Sequence, residues 1–380
     1  MREEEYLKKV FERFGVSSSV EKLVKDTIKM PTYKRDEILN NLRLIKKIAG
    51  LSLALITLFR QQVNSGFVLG DPLNEKEERL IKDDKTGINF ILTWNPDREL
   101  RKDHKKLIER GIIAEKVDKK RLVNIDSKGK ACYLCWKNIL EQNPGEIILK
   151  VKLADEFFYI GSNFAYITNN HFTIMNSKHR PQIFRAEIIN FMLSFVEKTN
   201  SFFRIIYNGL AGASIKEHEH LQATSESFPV ESVNKGEAII KDRDFELFSP
   251  VYYVPLFIVK GKSRRRIKEV STYIIKEWES ISENNTENLM MMGKDREFYL
   301  FIFLRDKKKL RGNGKSGALA SFEVSGRMVL SVNNENFNER QIFEKEGIWW
   351  IRKVYEDIKP EEKMVQKFKK QIFSYFGGKA

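Results

Sequence analysis

The chain is short of the residues that usually advertise chemistry. Only five of its 380 residues are histidine and only two are cysteine, Cys132 and Cys135. Two cysteines cannot build a disulfide framework, and their C-x-x-C spacing is that of a metal or redox pair. No run is apolar enough to span a bilayer, because the longest, 48–59, stops where about 20 residues are needed. The opening Met1-Arg2-Glu3-Glu4-Glu5 is acidic and lacks the apolar core of a signal peptide. These absences lead to the expectation of a cytoplasmic protein with no membrane partner. A P-loop is missing as well: Gly312-Asn313-Gly314-Lys315-Ser316 lacks the upstream glycine of G-x-x-x-x-G-K-[ST]. No clustered aromatic-basic face is visible, so nucleic acid is not favoured as a partner despite a net charge of +15.

What is present is enough for a folded protein. Hydrophobic content of 42% and aromatic content of 12% supply a core. The excess of Lys+Arg, 67 against 52 Asp+Glu, suits an anionic small molecule, although the charges are mixed along the chain. Apolar spacing at Leu39, Leu42, Ile45, Ile48 and Ala49 predicts a helix, continued by a buried segment from Leu51 to Phe59. Pro31 separates it from an earlier amphipathic helix. Residues 70–87 read as a polar stretch, 88–94 as a strand and 102–130 as a charged surface loop. Strands are expected at 146–152, 157–160, 172–175 and 202–207, with a helix over 183–199. A second round follows: an apolar strand within 251–259, a helix over 270–282, strands at 297–304 and 324–332, then helices over 338–376. The order implies an α+β fold of antiparallel sheets with crossing helices. It divides into an N-terminal helical extension (1–87), a first half-unit (88–235), a second half-unit (236–337) and C-terminal helices (338–380). Such a chain is a monomer with an internal pseudo-dimer, or a homodimer.

Three features carry possible chemistry. In His218-Glu219-His220-Leu221-Gln222, an extended strand would place His218, His220 and Gln222 on one face. That row can hold a metal or attack phosphorus, or it can be two solvated histidines. Cys132 and Cys135 are half of a tetrahedral site, to be completed by two of His171, His179, His218 and His220, or they are reduced core residues. Asn208-Gly209, with Gly212-Ala213-Ser214, lets backbone approach phosphate oxygens closely. Basic runs 262–268 and 305–311 are mostly expected to be solvated, with Arg305 or Arg311 a candidate ligand contact.

Together these segments resemble the histidine-triad superfamily, in the branch of galactose-1-phosphate uridylyltransferase, diadenosine tetraphosphate phosphorylase and GDP-L-galactose phosphorylase. The resemblance rests on Gly212-Ala213-Ser214 with His218-x-His220-x-Gln222, the Cys132–Cys135 pair, His179-Arg180-Pro181-Gln182 and Asn95-Pro96-Asp97-Arg98. It covers roughly residues 88–330. Three residues separate Ser214 from His218 where the diadenosine tetraphosphate enzymes usually have two, which places the chain nearer an uncharacterised bacterial subset. The resemblance implies a HIT-like fold of two diverged half-units. It implies a nucleotidyltransferase or phosphorylase that moves a nucleoside monophosphate from a nucleotide-sugar to phosphate or a sugar 1-phosphate. His220 would be the nucleophile, with Gln222 and Ser214 at the transferring phosphoryl group. Asn208, Gly209, Gly212, Ala213, Arg98 and Gln182 would bind substrate, joined by Arg305 and Arg311. A structural zinc would be held by Cys132, Cys135, His179 and His218. The alternatives are a dinucleoside polyphosphate phosphorylase and, in another class, a non-catalytic nucleotide- or nucleic-acid-binding protein.

Overall fold

The computed structural model describes residues 2–73, 77–312 and 314–377. Amphipathic spacing gives α1 (Glu3–Phe14), α2 (Ser18–Ile28) and the long α3 (Arg35–Asn64), so two helices rather than one precede Pro31. α3 kinks at Gly50. Before the kink Leu44 and Ile48 are exposed; after it every residue from Leu51 to Gln62 is buried. Among the described residues no helix is long and apolar enough to cross a membrane.

The stretch expected to be polar and irregular contains β1 (Glu77–Asp83), an antiparallel partner of β2 (Ile88–Trp94). Its exposed residues are Glu77, Glu78, Leu80 and Lys82, three of them charged, which hid the strand. The surface segment that follows carries α4 (His104–Glu109), and α5 (Trp136–Gln142) follows the cysteine pair. The main sheet then begins with β3 (Ile148–Leu153), β4 (Glu156–Ser162) and β5 (Phe172–Asn176). After α6 (Glu187–Lys198) come β6 (Arg204–Asn208) and β7 (His220–Thr224). The second round is β8 (Ile240–Lys241), β9 (Phe245–Phe248), β10 (Leu256–Gly261), α7 (Arg264–Ile281), β11 (Asn285–Lys294) and β12 (Glu297–Asp306). Short α8 (Ser321–Val324) precedes β13 (Arg327–Leu330), and α9 (Glu339–Lys345), α10 (Ile348–Ile358) and α11 (Glu362–Gly377) follow.

Ten strands form one sheet in the order β3-β4-β5-β7-β6-β11-β12-β10-β9-β8. Read outward from its centre, each side has the same plan: β6, β7, β5, β4, β3 on one, β11, β12, β10, β9, β8 on the other. α6 and α7 occupy matching places in the two connections. The sides meet where β6 pairs antiparallel with β11, from Ile205–Met291 to Asn208–Asn288. β1, β2 and β13 make a separate small sheet in which β13 runs parallel to β2, the one departure from antiparallel pairing among the described strands.

Alternation along each strand sorts the core into two layers. Leu221, Ala223, Leu289 and Met291 face α3, α6 and α7 on one side of the sheet. Met290, Met292, Phe301 and Phe303 face the other way, where the small sheet, α8 and α10 cover them. On that same side, the β3–β7 half is only partly covered. A small cluster around Cys132, Cys135, Ile139 and Met175 packs there, beside a cleft.

Candidate active site and metal cluster

Four ligand-type side chains from three chain segments converge: Cys132, Cys135, His179 and His218, with their ligand atoms all within 4.8 Å of one another. His218 Nδ1 lies 3.3 Å from Cys132 Sγ, 3.6 Å from Cys135 Sγ and 3.4 Å from His179 Nδ1. Cys135 Sγ is 3.4 Å from His179 Nδ1. A tetrahedral zinc with ordinary Zn–S and Zn–N bonds sets its ligand atoms roughly 3.3–3.8 Å apart, so the residues present fit the group. The surroundings fit as well. His218 Nε2 donates to the Asn176 carbonyl at 2.8 Å, which turns Nδ1 toward the cluster as a lone-pair donor. Asn124 Nδ2 donates to Cys135 Sγ at 3.0 Å. Burial pushes the His218 imidazole down to about 4, keeping it neutral, and pushes the Cys132 thiol up to about 11. A cation that draws off the thiol protons answers both conditions.

Two residues on, His220 does something different. Strand β7 starts at His220, not at His218, so the two imidazoles do not share a face as an unbroken strand would require. His218 turns into the cluster, and His220 and Gln222 line the cleft. His220 Nδ1 donates to the His218 carbonyl at 2.8 Å, leaving the Nε2 lone pair for chemistry. Burial lowers its pKa, which favours the neutral imidazole. Gln182 fixes the backbone here: its Oε1 accepts from the His220 amide at 2.8 Å. Its Nε2 donates to the carbonyls of His220 and Asn208 at 2.9 and 2.8 Å. Glu219, between the histidines, points to the opposite face. It is fully buried and held by Arg185 at 2.7 and 2.9 Å and by Asn176 at 2.6 Å.

The cleft is about 350 Å³ and brings together His220, Gln222, Asn208, Gly212, Ser214 and Arg98. Ser214 is exposed on its wall. Gly212 has φ +126°, and a Cβ there would stand 2.8 Å from Ala320 Cβ, so glycine lets the Lys315–Ala320 segment close over the site. Arg98 donates to the carbonyls of Ala165 and Tyr166, and its burial lowers the guanidinium pKa to about 10. Asn208 Oδ1 accepts from the Ser321 amide at 2.9 Å and from Asn288 Nδ2 at 3.1 Å, which leaves its own Nδ2 for a ligand.

Five expected contacts lie elsewhere. Gln182 is buried beneath the cleft and positions its backbone, as above. Gly209 sits on the seam, donating to the Glu287 carbonyl at 2.9 Å, and Ala213 is not among the cleft-lining residues. Arg305 is fully buried and does not line the cleft. It binds Asn288 Oδ1 at 2.5 Å and the Leu319 carbonyl at 2.8 Å, so it braces Asn208 from behind. Arg311 is exposed and away from the cleft. Runs of basic residues are mostly solvated, and here the one buried member is buried as a brace. Asn313, in the glycine-rich run, lies outside the described residues. Sequence reasoning missed Arg101, Glu146, Glu323 and Lys315, and weighed His171 only as a metal ligand; all five line the cleft. Two signals were available. Arg101 follows one turn after Arg98, and Lys315 was within the glycine-rich run already singled out. Lys315 Nζ is 3.3 Å from Glu339 Oε1, which also accepts from the Ser316 amide and hydroxyl at 2.8 Å.

An α+β fold of antiparallel sheets and crossing helices, with this histidine row beside a Cys2His2 cluster, is similar to the histidine-triad-like class. Sequence matches support the branch that holds the galactose-1-phosphate uridylyltransferases. The chain is 24% identical over 177 residues to galactose-1-phosphate uridylyltransferase of Caldanaerobacter subterraneus subsp. tengcongensis, covering 43% of this chain and 34% of that protein. It is 26% identical over 175 residues to galactose-1-phosphate uridylyltransferase 1 of Streptococcus pneumoniae, covering 42% and 35%. The match thus spans about a third of the length of these curated relatives. Residues 108–225, which contain the cysteine pair and the histidine row, match a family described as a domain of unknown function (DUF4922). Among solved structures, yeast Ap4A phosphorylase in complex with AMP is 12% identical, with a TM-score of 0.48, covering 90% of this chain and 98% of that one.

Proposed function

We propose that this protein is a nucleotidyltransferase or phosphorylase that works through a nucleotidyl-histidine on His220. The observation that carries the reading is the state of His220: neutral, its Nδ1 proton fixed on the His218 carbonyl, and its Nε2 in a cleft that also holds Gln222 and cationic side chains. Nε2 attacks the α-phosphorus of a nucleoside diphosphate sugar. The N–P bond forms as the P–O bond to the departing sugar phosphate breaks, and Nδ1–H···O=C spreads the positive charge left on the ring. In the second half, an oxygen of phosphate or of a sugar 1-phosphate attacks the same phosphorus and expels His220. Gln222 and the Asn208 amide donate to the phosphoryl oxygens, Ser214 reaches them from the wall, and Arg98, Arg101 and Lys315 offset the charge. That cationic set also favours a second reading, phosphorolysis of a dinucleoside polyphosphate, whose longer phosphate chain carries more charge.

Cys132, Cys135, His179 and His218 would hold a structural zinc, which contributes rigidity: with four protein ligands it has no open position. Residues 88–235 and 236–337 are proposed as the catalytic and supporting half-units, since each contains one five-stranded side of the sheet. β2 and β13 fall at the outer ends of these ranges and pair with each other.

Incubation with nucleotide-sugars and with Ap4A, followed by intact-mass measurement, tests the mechanism. A covalent mass increase of one nucleoside monophosphate is expected, and His220→Ala abolishes it. Absence of any adduct with every nucleotide tried would sink the reading. Metal analysis of the purified chain is expected to give one zinc per chain, and Cys132→Ser to give none.

A further inference from the structure

The cleft is chemically uneven. Arg98 has Arg101, Glu323, Glu99 and Glu339 as its charged neighbours, and the Glu323 carboxylate is turned to the Ala320 amide at 2.9 Å. Another stretch of the wall holds Leu134, Ile139 and Met175, with Tyr133 and Glu146 set into it. Glu146 is 7% exposed, and Arg35 is the one charged group near enough to influence it. Arg35 spends its hydrogen bonds on the carbonyls of Pro144 and Glu146 rather than on the carboxylate. Asn143 Nδ2 donates to Glu146 Oε2 at 2.9 Å, and Tyr133 donates to Asn143 Oδ1 at 3.4 Å. Among the described residues nothing donates to Oε1. That oxygen occupies a notch at Gly161, where a Cβ would collide with it. Burial without an ion pair raises the carboxyl to about 7. A buried carboxylate at an apolar wall, held by one amide and otherwise unanswered, is suited to a ligand that brings N–H donors.

We propose that this apolar part of the cleft is the nucleobase subsite and that Glu146 makes it selective for guanine. The inference rests on the nucleotidyl-transfer reading and deepens it. A flat base suits the Leu134–Ile139–Met175 wall, and the phosphates then extend toward Arg98, Arg101 and Lys315. Guanine presents two adjacent N–H donors, N1–H and N2–H, to a carboxylate. Adenine, cytosine and uracil each place an acceptor beside the donor on that edge, which an ionised Glu146 repels.

Calorimetric titration of the full wild-type chain at pH 8 with GMP, AMP, UMP and CMP tests this without requiring turnover. GMP is expected to bind at least about tenfold more tightly than the other three, a difference that hydrogen bonds to a charged group can supply. In Glu146→Gln the preference collapses to within about threefold, because the amide presents a donor where guanine has another donor. Gly161→Ala, which pushes the carboxylate from its notch, gives the same loss. A wild-type preference for another base overturns the assignment, as does a guanine preference that survives Glu146→Gln. So does a Glu146→Gln effect confined to nucleotide-sugars, which would make this the sugar subsite. Should Glu146→Gln fail to fold, the wild-type ranking decides. If no mononucleotide binds at all, the nucleotidyl-transfer reading itself fails, whereas a wrong base ranking leaves it standing.

Discussion

The two sides of the large sheet share a strand order and differ in what lies on the face opposite α6 and α7. Over β10, β11 and β12 that face is sealed by the small sheet, α8 and α10, and its residues are Met290, Met292, Phe301 and Phe303. Over β4, β5 and β7 it stays open, and the corresponding residues include His220, Gln222, Thr173 and Met175. β7 and β12 occupy matching places, yet no histidine occurs anywhere after residue 220. One scaffold, used twice, thus has an open, polar face on one side and a sealed, apolar face on the other. The supporting side still reaches the site, through Asn288 behind Asn208 and through the Lys315–Ala320 segment over Gly212.

The sharpest way to break this comparison is to change matching strands. His220→Ala is expected to lower nucleotidyl transfer by about 10⁴-fold or more. Phe301→Leu, on the sealed side, should leave kcat within about threefold and cost roughly 1 kcal/mol of stability. A comparable catalytic loss from the β12 substitution would end the division of labour. Next in size is Glu219→Ala. It removes one of the three carboxylates around Arg185, leaving Glu156 and Glu187, and should destabilise the chain by about 1–3 kcal/mol in urea unfolding. A change below 1 kcal/mol would show that the Glu219–Arg185 pair does not hold the histidine row.

A further effect is read by pH. Glu146 is raised from 4.5 to about 7, so the folded chain prefers its protonated form. Below pH 4.5 both states are protonated and the stabilisation is complete. Between 4.5 and 7 the unfolded state releases its proton first, and stability falls by roughly 3 kcal/mol, then levels off. Unfolding midpoints at pH 5 and pH 8 should show this drop, and Glu146→Gln should reduce it, buried Glu287 and Glu323, which are raised too, supplying the remainder. Last come two arginines of one basic run. Arg305→Met strands Asn288 Oδ1 and the Leu319 carbonyl and should cost about 2 kcal/mol. Arg311→Ala should lie within about 0.5 kcal/mol of wild type and leave turnover unchanged. Equal effects would remove the distinction drawn between brace and solvated charge.

The difference between those arginines also shows where sequence reading stops. His220, Gln222 and the cysteine pair were legible because their chemistry requires rare residues at short, fixed spacings. Arg305 and Arg311 differ in the fold, not in type, and nothing in a basic run says which member turns inward. The strand β11 was missed for a related reason. Asn285-Thr286-Glu287-Asn288 looks like a turn, but its polar groups are answered by distant partners, including Asn208, Arg305 and Trp278. β1 was hidden because one face of a two-sided strand is solvated and reads as loop. Glu146 was taken as the start of a strand, since a cleft assembled from five segments has no local signature.

Pairing of β6 with β11 has a consequence for assembly. Ile205, Ile206, Tyr207 and Asn208 would form an open, largely apolar sheet edge if the chain ended after β7. Such edges recruit another strand, most readily from a second copy of the same molecule. β11 fills that role from within. The seam thus joins within one chain two five-stranded sides, one with the histidine row and one without it. The two sides share a strand order and need not share side chains.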